Sequence, residues 1–561
     1  MACDHGAPDG TIGRRGVILL AHHDRAPVAR FAASPGAVAL VVALASLLFF
    51  AGIGAYPLVD GDAAFYGRVA RNAAERGDWL PMRFSLNAGG YQVDKPPLGI
   101  WLMAASFALF GPSEAAARAQ HAALAVLLVM VTTVFARRRL GPLPGLLAGL
   151  VLTTAAQVFY LAREPMLDVP LALSVVLTID LADRFAASRC AGFFYLACAV
   201  AGAGVLCKGP LALVLPVVVL VADGVWSGGG VGHYLPNGWK QRTIGCLVLL
   251  AIVVPWHLAV FVKEGWAYAD MYVGTISWRR WANPESLPGL GLVAYPALLA
   301  VGLLPWTGAA VAALVDACSS RTRSDSVRLA SLWVLATIAL FAISPGRIVL
   351  RYLLPAFPGA ALLVANRLTD PAVRYERTPG VLTILAGLVL AGWAVTAGLG
   401  LKAAGAAPEI IVLAARRFAL LLAVVMIAGG AAWVARRRVA GVIVLALGAS
   451  AGYLMLVASA PAIVTQLYPE RAIAAAVNGR SAVATRVAIF RAEPAEITML
   501  AFYLNPPFED CVTAEQIERF VSRPGDRWVI ELPGRPLPSL LRTELHVMAT
   551  YPGGVIAWRK R

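Results

Sequence analysis

The sequence predicts a polytopic α-helical membrane protein with about thirteen transmembrane helices and a small soluble α/β domain at its C-terminus. The chain of 561 residues is 59% hydrophobic and only 14% charged, whereas soluble globular domains carry about 25% charged residues. Apolar runs of roughly 18 to 24 residues recur along the chain, and each could cross a hydrocarbon core of about 30 Å as a helix. After about Pro461 these runs give way to short strand-like segments.

The predicted spans follow a basic N-terminal tail, residues 1–36, which precedes the first span without a clear cleavage site. We interpret the first span as an uncleaved signal-anchor. Residues 97–110 are apolar but too few to cross, so they are expected to lie along the outer interface. The predicted spans are about 37–57, 118–136, 143–160, 168–185, 192–206, 209–225, 244–262, 291–315, 327–344, 350–367, 379–400, 416–434 and 439–459.

The basic residues set the orientation of these helices. With a cytoplasmic N-terminus every second loop is basic, as the positive-inside rule requires. The inner loops then hold Arg137–Arg139, Arg184 with Arg189, Lys240 with Arg242, Arg321 with Arg323, Arg374 with Arg377, and Arg436–Arg438. Arg279–Arg280 and Arg416–Arg417 are exceptions on the outer side. The basic residues of these loops thus explain the net charge of +16. Because membrane orientation produces this pattern, no nucleic-acid partner is expected.

This orientation places the chemistry-bearing loops on one face. The membrane domain, residues 37–460, presents loops 58–117, 161–167 and 263–290 on the outer side. Charged residues at membrane boundaries are costly and usually functional. The candidates that share the outer face are Asp62, Asp94, Lys95, Asp168, Lys208 and Arg347.

The segment 461–561 is predicted to be an extracytoplasmic α/β domain. Residues 487–490, 498–504, 528–532 and 555–558 have the composition of short strands. Thr513 and Gln516 form a capping-box pattern that predicts the start of a helix. This domain has no predicted catalytic residue.

Carboxylates beside cations at a lipid surface suit sugar transfer from a lipid phosphate. A carboxylate can deprotonate an acceptor or hold a divalent metal. Lysine and arginine can bind a phosphate and stabilise it as a leaving group. A flippase or transporter of a lipid-linked sugar is the alternative, and it would place its charges at mid-span near broken helices. A structural or receptor protein would not need the clustered charges.

A set of short motifs lies in consistent order and spacing along the chain. These motifs are Asp62–Tyr66, Gly77–Trp79, Tyr91–Leu98, Leu161–Pro170, Cys207–Pro210, Pro255–Trp256, Leu304–Trp306 and Ser344–Pro355. The ordered set resembles the polyprenyl-phosphate-dependent GT-C glycosyltransferases, and among them the aminoarabinose transferase and protein mannosyltransferase-like group. The resemblance runs from about residue 37 to residue 370.

The resemblance implies a role for each candidate. Asp62 matches the first-loop aspartate that acts as general base or organises a metal, and Asp168 matches the second-loop aspartate, so the resemblance implies a catalytic role for both. Lys95 matches the lysine that contacts the donor phosphate. Arg347 and Arg351 fall in the basic motif near the lipid-phosphate cavity, and Lys208 is a further candidate phosphate ligand. Each has a structural alternative, since the aspartates could cap helices and the lysines could extend to the interface.

A divalent metal is left open. Asp94 stands where the family usually has glutamate, and with Asp62 it would be the candidate ligand. Ala63 replaces an acid that commonly follows the first aspartate, with Asp60 as a possible substitute. Loop 263–290 lacks the histidine with which the aminoarabinose transferases complete their site. The aromatic residues Trp266, Tyr268 and Tyr272 are interpreted as an interfacial belt rather than as a sugar platform.

The predicted function is therefore an inverting, integral-membrane glycosyltransferase of the bacterial plasma membrane with an extracytoplasmic active site. Its partners would be a polyprenyl-phosphate sugar and an acceptor in lipid A, a protein or an envelope glycan. Neither the sugar nor the acceptor can be read from the sequence.

Overall fold

A computed structural model gives the fold for residues 26–80, 82–84, 95–272, 274, 289–319, 324–343, 348–370, 376–403, 409–481, 485–491, 494–531, 536–551 and 555–560. Its first half is built from α1 (Ala26–Ala33), α2 (Pro35–Phe50), α3 (Gly61–Arg76), α4 (Leu98–Phe110), α5 (Glu114–Leu140), α6 (Pro142–Thr154), α7 (Ala156–Ala162), α8 (Asp168–Ser188), α9 (Ala191–Lys208), α10 (Leu211–Trp226), α11 (Trp239–Glu264) and α12 (Trp266–Ala269). A short 3₁₀ helix, Val231–His233, precedes α11.

The membrane part continues with α13 (Leu290–Gly302), α14 (Thr307–Ser319), α15 (Asp325–Ile343), a 3₁₀ helix (Leu350–Ala356), α16 (Phe357–Thr369), α17 (Thr378–Ala403), α18 (Glu409–Val434) and α19 (Arg438–Leu467). Among the described residues, seven helices are long and apolar enough to cross a membrane, or eight if the bent pair α6 and α7 is one span. The seven lie in α5, α9, α11, α15, α17, α18 and α19. The predicted polytopic helical architecture is confirmed.

Three predicted spans differ from the helices observed. Residues 143–160 form α6 and α7, which bend by 64° at the break between them. Residues 291–315 are divided between α13 and α14 by a turn that contains Pro305, which has no N–H group to continue a helix. The span predicted at 350–367 begins as a 3₁₀ helix. The count of about thirteen spans stays a prediction, because several of its members are shorter apolar helices.

Helices α3 and α4 lie between the long helices and position the site. Asp60 caps α3, with its side chain accepting from the backbone N–H groups of Asp62 and Ala63. At the other end Gly77 adopts φ 76°, the left-handed conformation that ends many helices. α4 is the short apolar helix predicted from residues 97–110, and its last residues Leu109 and Phe110 are 77% and 73% exposed. The interfacial position of α4 stays a prediction.

The C-terminal part contains a five-stranded mixed sheet of order β2-β1-β3-β5-β4. Its elements are α20 (Glu470–Asn478), β1 (Arg486–Phe490), α21 (Pro494–Tyr503), β2 (Phe508–Cys511), α22 (Ala514–Ser522), β3 (Arg527–Glu531), α23 (Ser539–Arg542), β4 (Leu545–Tyr551) and β5 (Val555–Lys560). β1 pairs in parallel with β2 and β3, whereas β5 pairs antiparallel with β3 and β4. The small α/β domain predicted from the sequence is confirmed as a fold.

Two local predictions in this region have opposite outcomes. The capping box at α22 is present, with Thr513 and Gln516 bonded reciprocally to the backbone. The strand predicted at residues 498–504 was wrong, because these residues belong largely to α21. The buried residues Leu500, Ala501 and Leu504 recur at helical spacing and enter the core beneath the sheet. Upstream, α19 continues through Pro461 to Leu467, past the predicted end of the last span.

Candidate active site

The N-terminal turn of α3 presents two carboxylates. Asp60 is the N-cap, and its Oδ1 accepts from the Asp62 backbone N at 2.8 Å. The helix cap predicted as an alternative role for Asp62 is therefore filled by Asp60. The Asp62 side chain is 51% exposed and belongs to the first turn of α3, where the helix dipole stabilises negative charge. Asp62 thus offers an accessible carboxylate on a rigid element.

Arg351 links both carboxylates to a distant part of the chain. One guanidinium nitrogen lies 2.5 Å from the Asp62 Oδ2, and the other lies 3.5 Å from the Asp60 Oδ2. Burial raises the pKa of Asp60 above its usual value near 3.8, against the lowering effect of the nearby Arg351. The N-terminal turn of α3 and the 3₁₀ helix Leu350–Ala356 therefore meet at a charged contact.

A second ion pair lies beside the first. Asp168, at the start of α8, is 2% exposed and bonds to the ammonium of Lys208 at the end of α9. The Lys208 Nζ also lies 5.4 Å from the centre of the Tyr352 ring. Arg351 is close enough to Asp168 to interact with it electrostatically, so the two ion pairs form one cluster.

Lys95 reaches the same cluster, since its charge acts on Lys208. The structure therefore brings together five of the seven predicted site residues: Asp62, Lys95, Asp168, Lys208 and Arg351. The other two, Asp94 and Arg347, lie outside the described residues. The cluster combines carboxylates with three cations, a combination that can accept a proton and bind an anion within one site.

An aromatic group borders Lys208. Gly209 adopts φ +93°, and a Cβ placed on it would lie 3.3 Å from the Tyr272 hydroxyl. The rings of Tyr268 and Tyr272 stack with centroids 5.6 Å apart, and His257 bonds to the Tyr268 hydroxyl. Tyr268 is only 5% exposed. The belt interpretation is therefore wrong for Tyr268, which packs inside the protein, although Trp266 is 80% exposed as a belt residue would be.

Glu164 has a place in the site that the sequence did not indicate. Its Oε1 lies 3.7 Å from the guanidinium of the fully buried Arg118. Burial raises the pKa of Glu164 to about 7, a rise that Arg118 opposes and the negative charge of Asp60 adds to. In the sequence, Glu164 stands out only as one acid of the 161–170 motif. Its buried partner Arg118 lies on α5, far away along the chain, so no local pattern indicates the pair.

We expect Glu164→Gln to reduce the pH dependence of stability. The folded state keeps the Glu164 proton up to about pH 7, whereas an unfolded chain releases it near 4.5. Folding is therefore favoured at low pH and loses stability as pH rises through that window, by roughly 3 kcal/mol in total. The difference in thermal unfolding temperature between pH 5 and pH 8 should be smaller in Glu164→Gln than in the wild-type protein. Glu518→Gln, at an exposed position, should keep the wild-type difference, and an equally large difference in Glu164→Gln would contradict the assignment.

The buried Asp168–Lys208 pair leads to a stability prediction. Asp168→Asn should destabilise the fold by about 3–5 kcal/mol, because it leaves the Lys208 ammonium buried without its counterion. Combining Asp168→Asn with Lys208→Met removes the unpaired charge and should recover most of that loss. Chemical unfolding of both variants in detergent measures the difference. If the single and double variants were equally stable, the unpaired Lys208 charge would cost the fold nothing, and the prediction would be wrong.

The described donors do not fit a divalent metal. Within the part of the chain that the structure describes, no three His, Cys, Asp or Glu side chains converge as a metal-ligating group. The two carboxylates at the N-terminal turn of α3, on Asp60 and Asp62, already share the positive charge of Arg351. Asp94 lies outside the described residues, so a metal bound by Asp94 and Asp62 stays a prediction, and no chemical step below depends on it.

Comparison with known proteins agrees with the motifs. A family model described as dolichyl-phosphate-mannose-protein mannosyltransferase matches residues 94–258. The undecaprenyl phosphate-α-4-amino-4-deoxy-L-arabinose arabinosyl transferase of Edwardsiella ictaluri is 28% identical over 357 residues, which cover 60% of this chain and 62% of that protein. The Pseudomonas aeruginosa (strain LESB58) protein of the same name is 28% identical over 55% of both chains. The match thus spans less than two thirds of these relatives.

The likeness of the folds covers more of the chain. The crystal structure of ArnT from Cupriavidus metallidurans bound to undecaprenyl phosphate superimposes with a TM-score of 0.76 at 21% identity, covering 94% of this chain and 98% of that one. Its apo structure gives a TM-score of 0.74. The likeness includes the C-terminal region, where the sequence motifs stop. The chain is therefore a multi-pass membrane protein with the GT-C type of fold seen in the ArnT structures.

Proposed function

We propose that the protein is an integral-membrane glycosyltransferase that moves a sugar from a polyprenyl-phosphate donor to an acceptor, with inversion at the anomeric carbon. The observation that carries the proposal is the half-exposed Asp62 carboxylate, which lies 2.5 Å from Arg351 and in one cluster with Lys208 and Lys95. A base and an anion-binding site are thus adjacent, as transfer from a lipid phosphate requires.

Asp62 is the proposed general base. Its carboxylate takes the proton of an acceptor O–H group as the acceptor oxygen bonds to the anomeric carbon from the face opposite the phosphate. The bond between the anomeric carbon and the phosphate oxygen breaks, and its electron pair stays on the phosphate. An O–H on a sugar, a protein side chain or a phosphate monoester would serve, so the acceptor class remains open. Asp60 is less suited because its carboxylate caps α3.

Lys95, Lys208 and Arg351 are the proposed receivers of the phosphate charge. A cation already in place stabilises the leaving group more than the substrate, because the negative charge grows during the reaction. Asp168 was predicted to act directly. Because it is 2% exposed and bonded to Lys208, we propose instead that it positions that ammonium.

The known relatives support the donor class. Those from Edwardsiella and Pseudomonas are named for transfer from undecaprenyl phosphate, and the Cupriavidus structure holds undecaprenyl phosphate. A flippase is less consistent with the placement of charge. Asp180, which falls within the predicted span 168–185, pairs with Arg138 at 2.8 Å and with Arg184 at 2.7 Å. It is thereby neutralised at the end of α5 rather than presented to a transport path.

Assaying purified protein with a panel of labelled polyprenyl-phosphate sugars tests the function. Candidate acceptors would be lipid A, an envelope glycan and peptides with hydroxyl side chains. Product with inverted anomeric configuration is expected from at least one donor, and the Asp62→Asn variant should form it at least two decades more slowly. Movement of the lipid-linked sugar across proteoliposomes without any transfer product would instead support the flippase.

We further propose that the site and the C-terminal domain face the extracytoplasmic side of a bacterial plasma membrane. Single cysteines can test this in a chain from which the seven native cysteines have been removed. Arg76→Cys and Glu515→Cys, both exposed, should react with an impermeant thiol reagent in intact cells. Lys240→Cys, exposed in a loop predicted to be cytoplasmic, should react only after lysis. Labelling of position 240 from outside, or protection of position 515, would contradict the orientation.

A further inference from the structure

The C-terminal domain touches the chain just before the catalytic turn. The Leu58 backbone N–H donates to the Tyr503 hydroxyl at 3.0 Å, although the two residues are 445 positions apart. Leu58 is 1% exposed, and it lies two residues before the N-cap Asp60. The last residue of α21 therefore holds the backbone that leads into the Asp60–Asp62 turn.

The same domain also holds α3 further along. The Arg68 side chain, 2% exposed, donates to the Leu504 carbonyl at 2.7 Å. Arg71, one turn later on the same helix face, donates to the Phe502 carbonyl at 3.0 Å. Next to Arg68, a Cβ on Gly67 would lie 2.8 Å from the Phe502 ring, so ring and helix backbone are in close contact. Residues 502–504, at and just after the end of α21, thus contact both α3 and the segment that leads into it.

The membrane domain holds the other side of this segment. Arg118 of α5 donates to the carbonyls of Tyr56 at 2.7 Å and Pro57 at 2.8 Å. Its guanidinium lies 4.1 Å from the centre of the Tyr56 ring. The carbonyl of residue 57 and the amide of residue 58 belong to one peptide unit. That unit is therefore bonded at its oxygen by the membrane domain and at its nitrogen by the C-terminal domain.

We propose that Tyr503 is a positioning residue, which sets the Asp60–Asp62 turn against Arg351 through its hydrogen bond to Leu58. A peptide plane fixed at both polar ends has little freedom to rotate, so the chain direction into α3 is defined. The catalytic consequence rests on the proposed function, in which Asp62 must reach the acceptor. Misplacement of a catalytic group by about 1 Å can cost up to two decades in rate.

Tyr503→Phe tests the proposal, because it removes the hydroxyl and keeps the ring. The variant in detergent or nanodiscs should show faster amide hydrogen exchange in peptides covering residues 58–66. Its kcat for sugar transfer should fall about tenfold with KM for the donor within about twofold, since the phosphate site is untouched. Tyr453→Phe is the matched control: it also removes one buried hydroxyl, which donates to the Thr154 carbonyl at 3.0 Å, and its ring packs against Phe159 and Phe418. It should change neither exchange at 58–66 nor kcat.

A cycle with Asp62→Asn separates positioning from general destabilisation. If Tyr503 acts through Asp62, Tyr503→Phe should lower the residual activity of Asp62→Asn no further. Unchanged exchange at 58–66, or unchanged kcat despite faster exchange, would overturn the proposal. If the wild-type protein transfers no sugar from any donor, the proposed function fails by itself. The exchange experiment would still decide whether Tyr503 holds the turn.

Discussion

Replacing Asp62 by Asn is expected to abolish sugar transfer while leaving the protein folded. The amide keeps the size of the side chain, but it cannot take a proton from an acceptor. The side chain is half-exposed and does not cap the helix, so little stability depends on its charge. We expect kcat to fall by at least two to four decades, the usual contribution of a general base. Initial rates with the best donor, and thermal unfolding of the same preparation, measure both effects.

Asp78→Asn is the matched control for this variant. Asp78 lies in the turn after α3, is partly exposed, and should lose no activity when neutralised. Asp62→Glu should retain partial activity, because it keeps the base but displaces it by one methylene. Transfer at nearly the wild-type rate by well-folded Asp62→Asn would remove the residue from its proposed role. Asp60 would then be the next carboxylate to test, since Asn at position 60 can still cap α3.

Much of the fold and most of the residues that form the site could be predicted from the sequence. Hydrophobic length predicted the helical membrane part. Charge near span ends selected Asp62, Lys95, Asp168 and Lys208, and the family resemblance added Arg351. All five fall in one cluster. Their selection was possible because charge is costly beside lipid, so the few residues that keep it at span ends stand out.

The pairing within the cluster could not be predicted. Asp62 and Arg351 are 289 residues apart, and no local pattern states which arginine meets which aspartate. Likewise Glu164 looked like one acid of a motif until its burial against Arg118 was known. The strand predicted at 498–504 failed for a related reason. The β-type composition of that run was outweighed by helical spacing of its buried residues, which face a core built from distant strands.

The role of the C-terminal domain was also beyond the sequence. The motif resemblance ended near residue 370, so nothing in the pattern connected Tyr503 with Leu58. The backbone carbonyls of residues 502 and 504 accept hydrogen bonds from two arginines of α3. Because every residue has a backbone carbonyl, the residue types at these positions do not indicate such a contact. The sequence could therefore predict a domain on the same side as Asp62, but not its contact with the catalytic helix.

Lys95→Ala is expected to lower kcat by about two to three decades, because it removes a cation that faces the departing phosphate. A positioned donor facing developing charge contributes roughly 3–4 kcal/mol. Lys95→Arg should recover only part, since a planar guanidinium does not replace a compact ammonium. Lys263→Ala is the control: this exposed lysine donates to the Leu80 carbonyl and should retain activity. Product formation at saturating donor isolates the effect on kcat. If Lys95→Ala were kinetically silent while Lys208→Ala was inactive, the phosphate charge would be received at the end of α9, beside Tyr352, rather than at the start of α4.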